Sequence, residues 1–342
     1  MRLGVELAES SAAATAAPVA LSREPHIAPM VVLVDGITRS GKSMLCPVLS
    51  SFERVEIERA EEIIEYVGAL HRMGKLEREV AVALLRMETD MHLYNSLIGR
   101  NTNFRVHDHS SVWKTPSPWR YLRRLFAPDG RTVLQRVAEE RPIYQNHTHD
   151  QLANFALFEA AFGARLRMLH MIRHPVDLVD SWMRRGWGTR FGEDPLALTF
   201  CIRHEGRELP YYAIGWEAEY VASTPLGRVI RMIARLWEDN LRAYEALTGE
   251  QRLRVLIIPF EEFVQRPQPF LAPIAALLDA RATRATATAL RRERCPRPYS
   301  LEFRQRKHVQ LERQAAQEER AMLARLIEEY EALVRAIGAF DG

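Results

Sequence analysis

The strongest constraint on the fold is a short apolar run that leads directly into a glycine-rich turn. Residues 31–34 read VVLV, and residues 36–43 read GITRSGKS. A glycine, four residues and then Gly-Lys-Ser, placed after an apolar run, predicts a buried strand, a phosphate-binding loop and the start of a helix. The glycines let backbone N–H groups turn inward around an anion, while the helix start and Lys42 add positive charge. We therefore expect a phosphate group to bind at residues 36–43.

Further apolar runs alternate with helical periodicity along the chain. Segments 166–172 (LRMLHMI) and 255–258 (VLII) are typical of buried parallel strands, and Pro259 cannot continue a central strand. Strands that alternate with helices predict an α/β fold of three layers, with a central parallel sheet and helices on both faces. Without an internal repeat or a Gly/Ser linker, we expect one domain over residues 29–342. It would contain a helical insertion at 60–126, after the second strand, and a C-terminal helix at 309–338.

The composition is that of a folded globular protein. Lys+Arg 47 against Asp+Glu 44 gives a net charge of +3 over 342 residues, which argues against a disordered chain and against a nucleic-acid partner. Residues 1–28 are rich in Ala, Ser, Glu and Pro and predict a disordered leader. No segment approaches the roughly 20 apolar residues of a membrane span. The three cysteines lack CxxC spacing, which favours a reducing compartment and predicts a cytoplasmic protein.

A second anion-binding signal follows the predicted strand 166–172, in segment 173–181 (RHPVDLVDS). Arg173 stands where the strand ends, at the sheet edge where α/β proteins bind ligands. Pro175 suits the first turn of the next helix, and Asp177 and Ser181 share one face of that helix. Two interpretations are open: Arg173 and Ser181 hold one phosphate together, or Arg173 pairs with Asp177 and braces the turn.

These segments resemble the sulfotransferases that use 3′-phosphoadenosine 5′-phosphosulfate (PAPS). Segment 173–181 matches the family signature R-x-P-x-D-x-x-x-S, and segment 255–263 (VLIIPFEEF) is similar to a later strand of the family and the acidic segment after it. The residues that line up with the family's phosphate loop are Gly36, Arg39, Ser40, Gly41 and Ser43. The resemblance implies that Arg173 and Ser181 hold the 3′-phosphate, that the loop, with Thr38, holds the 5′ end, and that no metal is required.

The chain departs from the family pattern in two places. Lys42 replaces a threonine and Thr38 replaces a proline in the loop, which makes the loop a hybrid with that of nucleoside triphosphatases. Residues 291–308 hold seven Arg/Lys and two Asp/Glu, but segment 304–308 lacks a glycine that the family carries. The resemblance predicts that a basic flap covers the 3′-phosphate with Arg304, Arg306 and Lys307. A solvated basic loop is the alternative.

Sulfuryl transfer requires an acceptor hydroxyl in line with sulfur, cations on the oxygens that gain charge, and a base. Arg39 and Lys42 are the predicted cations. The candidates for the base are Glu58, Asp108, His147 and His149, with Glu58 placed to end a strand that follows the first helix. The sequence His-Asp-His around Asp108 also suggests a metal site, but three consecutive residues rarely converge on one ion, so no metal site is predicted.

The leading hypothesis is a sulfotransferase that acts on a hydroxyl of a carbohydrate or a small molecule, with mixed aromatic and polar residues in 75–125 as candidates for an acceptor pocket. One alternative is a Mg²⁺-dependent phosphotransferase that uses Lys42, Ser43 and Asp108. A second alternative is a nucleotide-binding protein without catalysis. The acceptor and the oligomeric state are left open by the sequence.

Overall fold

The computed structural model describes residues 19–58 and 62–338. Its strands are β1 (Met30–Asp35), β2 (Ile143–His147), β3 (Leu166–Ile172), β4 (Cys201–His204), β5 (Arg207–Pro210) and β6 (Val255–Pro259). Four of them form a parallel sheet in the order β2-β1-β3-β6, and β4 and β5 form an antiparallel hairpin. The predicted parallel sheet is therefore confirmed.

Helices occupy most of the chain between the strands. They are α1 (Lys42–Leu49), α2 (Glu62–Arg72), α3 (Arg78–Leu97), α4 (Pro118–Arg124), α5 (Arg131–Glu140), α6 (Phe155–Phe162), α7 (Pro175–Arg184), α8 (Glu217–Ala222), α9 (Pro225–Glu245), α10 (Gly249–Arg252), α11 (Phe260–Gln265), α12 (Gln268–Leu278), α13 (Thr286–Arg292), α14 (Leu301–Gln314) and α15 (Gln317–Ile337). None of these helices is long and apolar enough to cross a membrane.

The three layers follow from the alternation of side chains along β1. Val31 and Leu33 enter one apolar core, which also contains buried residues of α3, α6, α7, α9 and α15. Val32 and Val34 enter a second core on the other face, against α1, α11, α12 and α13. Both faces of the sheet are thus covered by helices, as expected for a parallel sheet whose strands are apolar throughout.

The second strand lies at a different place from the one we expected. Val55 makes a single parallel bridge to Ile143, so the expected strand ending at Glu58 is reduced to one pair of residues. The outer strand next to β1 is β2 instead. The apolar pattern did not reveal β2 because this strand buries the polar residues Gln145 and Asn146. The Gln145 amide donates to the Glu56 carbonyl at 3.1 Å and thereby makes its burial tolerable.

The chain ends as two helices rather than one, since α14 stops before Ala315 and α15 starts at Gln317. Gly338, at φ +80°, ends α15 as its sequence position suggested. At the other end, residues 1–18 of the expected leader lie outside the described residues. Within residues 19–28, the Asp90 carboxylate accepts from the N–H of Ile27 at 2.8 Å and pairs with Arg23 at 2.8 Å.

Candidate functional site

The phosphate loop joins β1 to α1 and is held in a conformation that few sequences tolerate. Three loop residues have left-handed or related backbone conformations: Gly36 at φ +143°, Arg39 at +75° and Gly41 at +101°. A methyl group at Gly41 would lie 2.3 Å from the Phe260 ring, so only glycine fits there. The Lys42 side chain is 2% exposed, and its ammonium donates to the Gly36 carbonyl at 2.9 Å. The loop is thus curled around its own lysine.

The start of α7 meets this loop at the carboxyl edge of the sheet. The Arg39 Nε donates to the Ser181 hydroxyl at 3.2 Å, and the Arg173 Nη1 donates to the Arg39 carbonyl at 2.8 Å. The Asp177 carboxylate instead accepts hydrogen bonds from the Tyr299 hydroxyl and the Lys307 ammonium. The interpretation in which Arg173 braces the turn through Asp177 is therefore not the arrangement observed.

Two polar atoms in this region suit an anionic ligand. The Arg173 Nε and the Ser40 hydroxyl are buried, and neither has a hydrogen-bond partner among the described residues. The Arg173 guanidinium also lies over the Phe260 ring at 4.7 Å, which fixes its orientation. Burial and the nearby charges of Arg185 and Arg173 lower the pKa of Arg39. Such a cluster of cations with unused donors has the chemistry of an anion-binding site.

The three basic residues of the predicted flap make different contacts in the structure. Lys307, on α14, pairs with Asp177 at 2.5 Å and with Asp180 at 3.3 Å, which ties α14 to α7. Burial alone would raise the pKa of Asp177, but Lys307 and Tyr299 hold it below its usual value. Arg304 lies over the Tyr299 ring at 5.6 Å. Arg306 is exposed and pairs with Glu302 at 3.5 Å, so the structure does not bring it to Arg173.

A cavity of about 220 Å³ borders the loop at Thr38. Thr38 lines it, and the Trp182 indole, which follows Ser181, donates to the Thr38 carbonyl at 2.8 Å. The polar lining includes Glu62 and Glu65 of α2. Its aromatic residues are Tyr66, Trp182, Trp187, Phe191, Phe200, Tyr211 and Tyr212. No residue of 75–125 is among the described residues that line it.

His149 is the base candidate that faces this cavity. Its Nδ1 lies 2.7 Å from the Glu65 carboxylate, which leaves Nε2 for the cavity. Burial lowers the pKa of His149 well below its usual value, and Lys42 adds to this effect. Burial also raises the pKa of Glu65 to about 8. A neutral imidazole whose Nδ1 is oriented by a carboxylate is the form that accepts a proton at Nε2.

His147 and Glu58 form a second pair next to His149, since the rings of His147 and His149 lie 5.0 Å apart. The His147 Nε2 lies 3.5 Å from the Ser43 hydroxyl, and its Nδ1 lies 3.2 Å from the Glu58 carboxylate. Burial lowers the pKa of His147. These two candidates thus contact the start of α1 through Ser43, whereas His149 contacts the cavity.

Asp108 lies elsewhere, in a turn of the helical region. Its carboxylate accepts from the Asn103 amide at 3.1 Å and pairs with Arg105 at 3.3 Å. Among the described residues, none of its hydrogen bonds or ion pairs involves the phosphate loop. The structure therefore does not bring Asp108 together with Lys42 and Ser43.

Asp150 is a site residue that the sequence reasoning missed. It follows β2 by three residues, it is 2% exposed, and neither carboxylate oxygen has a hydrogen-bond partner in the described part of the chain. Burial and the neighbouring Asp35 raise its pKa to about 8, although Lys42 opposes this shift. Its position at the carboxyl end of the strand beside β1 is the signal that could have identified it.

Comparison with known proteins gives structural matches alone. No protein-family model matches the sequence, and no curated protein matches it. Three solved structures that match the chain are sulfotransferases. The sulfotransferase domain of an olefin synthase from Synechococcus matches at 13% identity and a TM-score of 0.46, over 91% of this chain and 97% of that one.

Two further sulfotransferase structures match with lower scores. The sulfotransferase domain of the curacin biosynthetic pathway has 14% identity and a TM-score of 0.39, over 85% of this chain and 99% of that one. A sulfotransferase from Mycobacterium avium has 14% identity and a TM-score of 0.36, over 85% and 78%.

Proposed function

We propose that this protein transfers a sulfuryl group from PAPS to a hydroxyl of a small-molecule or carbohydrate acceptor. The observation that carries the proposal is the junction at the carboxyl edge of the sheet. There, Arg39 of the phosphate loop contacts Ser181, and its carbonyl accepts from Arg173. In the same loop, Thr38 lines the aromatic cavity. A donor with two phosphates and an acceptor would therefore meet at one loop.

The donor side follows from the cations and unused donors around the loop. In this proposal, Arg173 and Ser181 hold the 3′-phosphate, and the loop N–H groups and Ser43 hold the 5′ end. PAPS supplies an activated sulfuryl group when it is bound. Lys42 leaves the Gly36 carbonyl for the oxygens that gain charge, and Arg39 serves the same oxygens. The unpartnered Arg173 Nε supports this assignment because a bound anion would satisfy it.

On the acceptor side, we assign the role of the base to His149. The Nε2 of the neutral imidazole takes the proton of the acceptor hydroxyl. Glu65, whose carboxylate form becomes populated as the pH rises towards its pKa of about 8, holds Nδ1–H and stabilises the imidazolium that forms. His147 and Glu58 position Ser43, and through it the start of α1. The aromatic walls exclude water, which otherwise competes with the acceptor for the sulfuryl group.

We place this activity in the cytoplasm, without nucleic acid. Cys46, Cys201 and Cys295 are free thiols, and two of them are buried in the apolar core. Such thiols suit a reducing compartment.

The test is a thermal-shift measurement on the full chain with adenosine 3′,5′-bisphosphate and with ATP·Mg²⁺. We expect the bisphosphate to stabilise by about 2.7 kcal/mol at roughly 100 times its Kd. A shift with ATP·Mg²⁺ alone would instead support the Mg²⁺-dependent phosphotransferase, whose proposed aspartate lies away from the loop. A third outcome is that the bisphosphate binds, but PAPS is not converted to the bisphosphate in the presence of a broad panel of hydroxyl compounds. The protein would then be a binding protein without catalysis.

A further inference from the structure

We propose that the acceptor is a small cationic amino alcohol, with its ammonium group in the aromatic cavity near Glu62 and its hydroxyl at His149. The inference rests on the proposed function, because it names the substrate class of the same site. It is carried by the walls of the cavity and by the charges among its lining residues.

The walls form a continuous series of aromatic rings. Trp182 and Trp187 meet edge to face with their centroids 4.8 Å apart, and Trp187 lies 6.4 Å from Phe191. Phe191 in turn lies 6.1 Å from Tyr212, and Tyr212 lies 4.3 Å from Tyr211. The faces of such rings carry partial negative charge and attract ammonium groups, quaternary ones included.

The charges in the lining are of one sign. Glu62 and Glu65 both line the cavity, and among its described lining residues there is no Lys or Arg. The nearby Arg72 is already paired with Asp239. Asp150 is close enough to help raise the pKa of Tyr211 and Tyr212, and it adds negative charge as the pH rises towards its own pKa of about 8. An acceptor that carries phosphate, sulfate or carboxylate would be repelled here, whereas a cation would be attracted.

The two carboxylates have different partners, which orients the acceptor. Glu65 is held by His149 at 2.7 Å, so the hydroxyl end of the acceptor belongs at that pair. Glu62 precedes Glu65 by three residues on α2, which places their Cβ atoms about 5–6 Å apart on one face of the helix.

The experiment compares choline with its neutral isostere 3,3-dimethylbutan-1-ol, which differ in the charge of one atom. Binding to the full chain is followed by the quenching of tryptophan fluorescence, because Trp182 and Trp187 line the cavity. We expect choline to bind about tenfold more tightly than the isostere, and Glu62→Gln to remove that preference. The control Glu139→Gln changes an exposed carboxylate on α5, outside the cavity, and should leave the preference intact.

Equal or tighter binding of the neutral isostere to the unchanged protein overturns the proposal, and so does a preference for choline that survives Glu62→Gln. A titration with adenosine 3′,5′-bisphosphate separates this result from the fate of the proposed function. Absence of a choline preference in the unchanged protein, together with normal bisphosphate binding, rejects the acceptor class alone. Choline binding without bisphosphate binding supports the cationic site and rejects the sulfuryl donor.

Discussion

The Arg39 guanidinium donates its Nε–H to the Ser181 hydroxyl over 3.2 Å, although the two residues lie 142 positions apart in the chain. This contact joins the phosphate loop to the helix that follows the next strand of the sheet. Arg173 completes the junction from the end of β3 by donating to the Arg39 carbonyl. The loop conformation and the second anion site therefore depend on each other.

The substitution Gly41→Ala should disrupt this junction. Residue 41 is left-handed at φ +101°, and an added methyl group would lie 2.3 Å from the Phe260 ring. We expect a loss of about 1–3 kcal/mol in the free energy of unfolding and a loss of bisphosphate binding. Urea denaturation and titration measure the two effects. Gly249→Ala is the control, because a methyl group there meets open space. Equal behaviour of the two variants would contradict the account.

The two histidines should differ in their effects on catalysis. His149→Asn removes the proposed base and should lower the rate of bisphosphate release from PAPS by about 10²–10⁴-fold in the presence of acceptor, with unchanged bisphosphate affinity. His147→Asn should affect bisphosphate affinity instead, since His147 contacts Ser43. A stopped assay of bisphosphate release, with an affinity measurement on each variant, tests the assignment. The reverse pattern would make His147 the base.

The fold was predictable where the pattern is local. The apolar runs of β1, β3 and β6 and the glycine spacing of the loop lie within short segments, so their structures follow from neighbouring residues. The strand β2 was not predictable in this way because it buries the polar residues Gln145 and Asn146. The carbonyl that accepts from the buried Gln145 amide belongs to Glu56, which is distant in the sequence.

The candidate site was also predictable only where its residues lie in local motifs. Arg39, Arg173 and Ser181 stand in compact motifs, and their convergence was expected. The cavity was not, because its walls come from α2 and from residues 182–212, which only tertiary packing brings together. The mixed aromatic and polar residues of 75–125 were the candidates for an acceptor pocket. Two of these aromatic residues, Trp113 and Trp119, are exposed to solvent instead.

Asp150 should make stability depend on pH in a defined direction. Its pKa is raised from 3.8 to about 8 in the folded chain, so the folded state retains a proton that the unfolded state has already released. The contribution is fully present below about pH 4 and is lost as the pH rises towards 8, by up to about 1.4 kcal/mol per pH unit. The variant Asp150→Asn has no ionisable group at this position, so its stability lacks this dependence on pH.

Urea denaturation of both proteins between pH 5 and 8 measures this contribution. We expect the variant to gain stability relative to the unchanged protein as the pH rises. Parallel stability curves would show that Asp150 has an ordinary pKa in the folded state.

The most direct test of the central claim is the affinity of the protein for adenosine 3′,5′-bisphosphate relative to adenosine 5′-monophosphate, measured by titration calorimetry. The two ligands differ only in the 3′-phosphate that we assign to Arg173 and Ser181. Since charge-assisted hydrogen bonds contribute about 1.5–3 kcal/mol each, the bisphosphate should bind about 100-fold more tightly, and Arg173→Ala should remove most of that ratio. Equal affinities for the two nucleotides, or a ratio that Arg173→Ala leaves unchanged, would contradict the assignment.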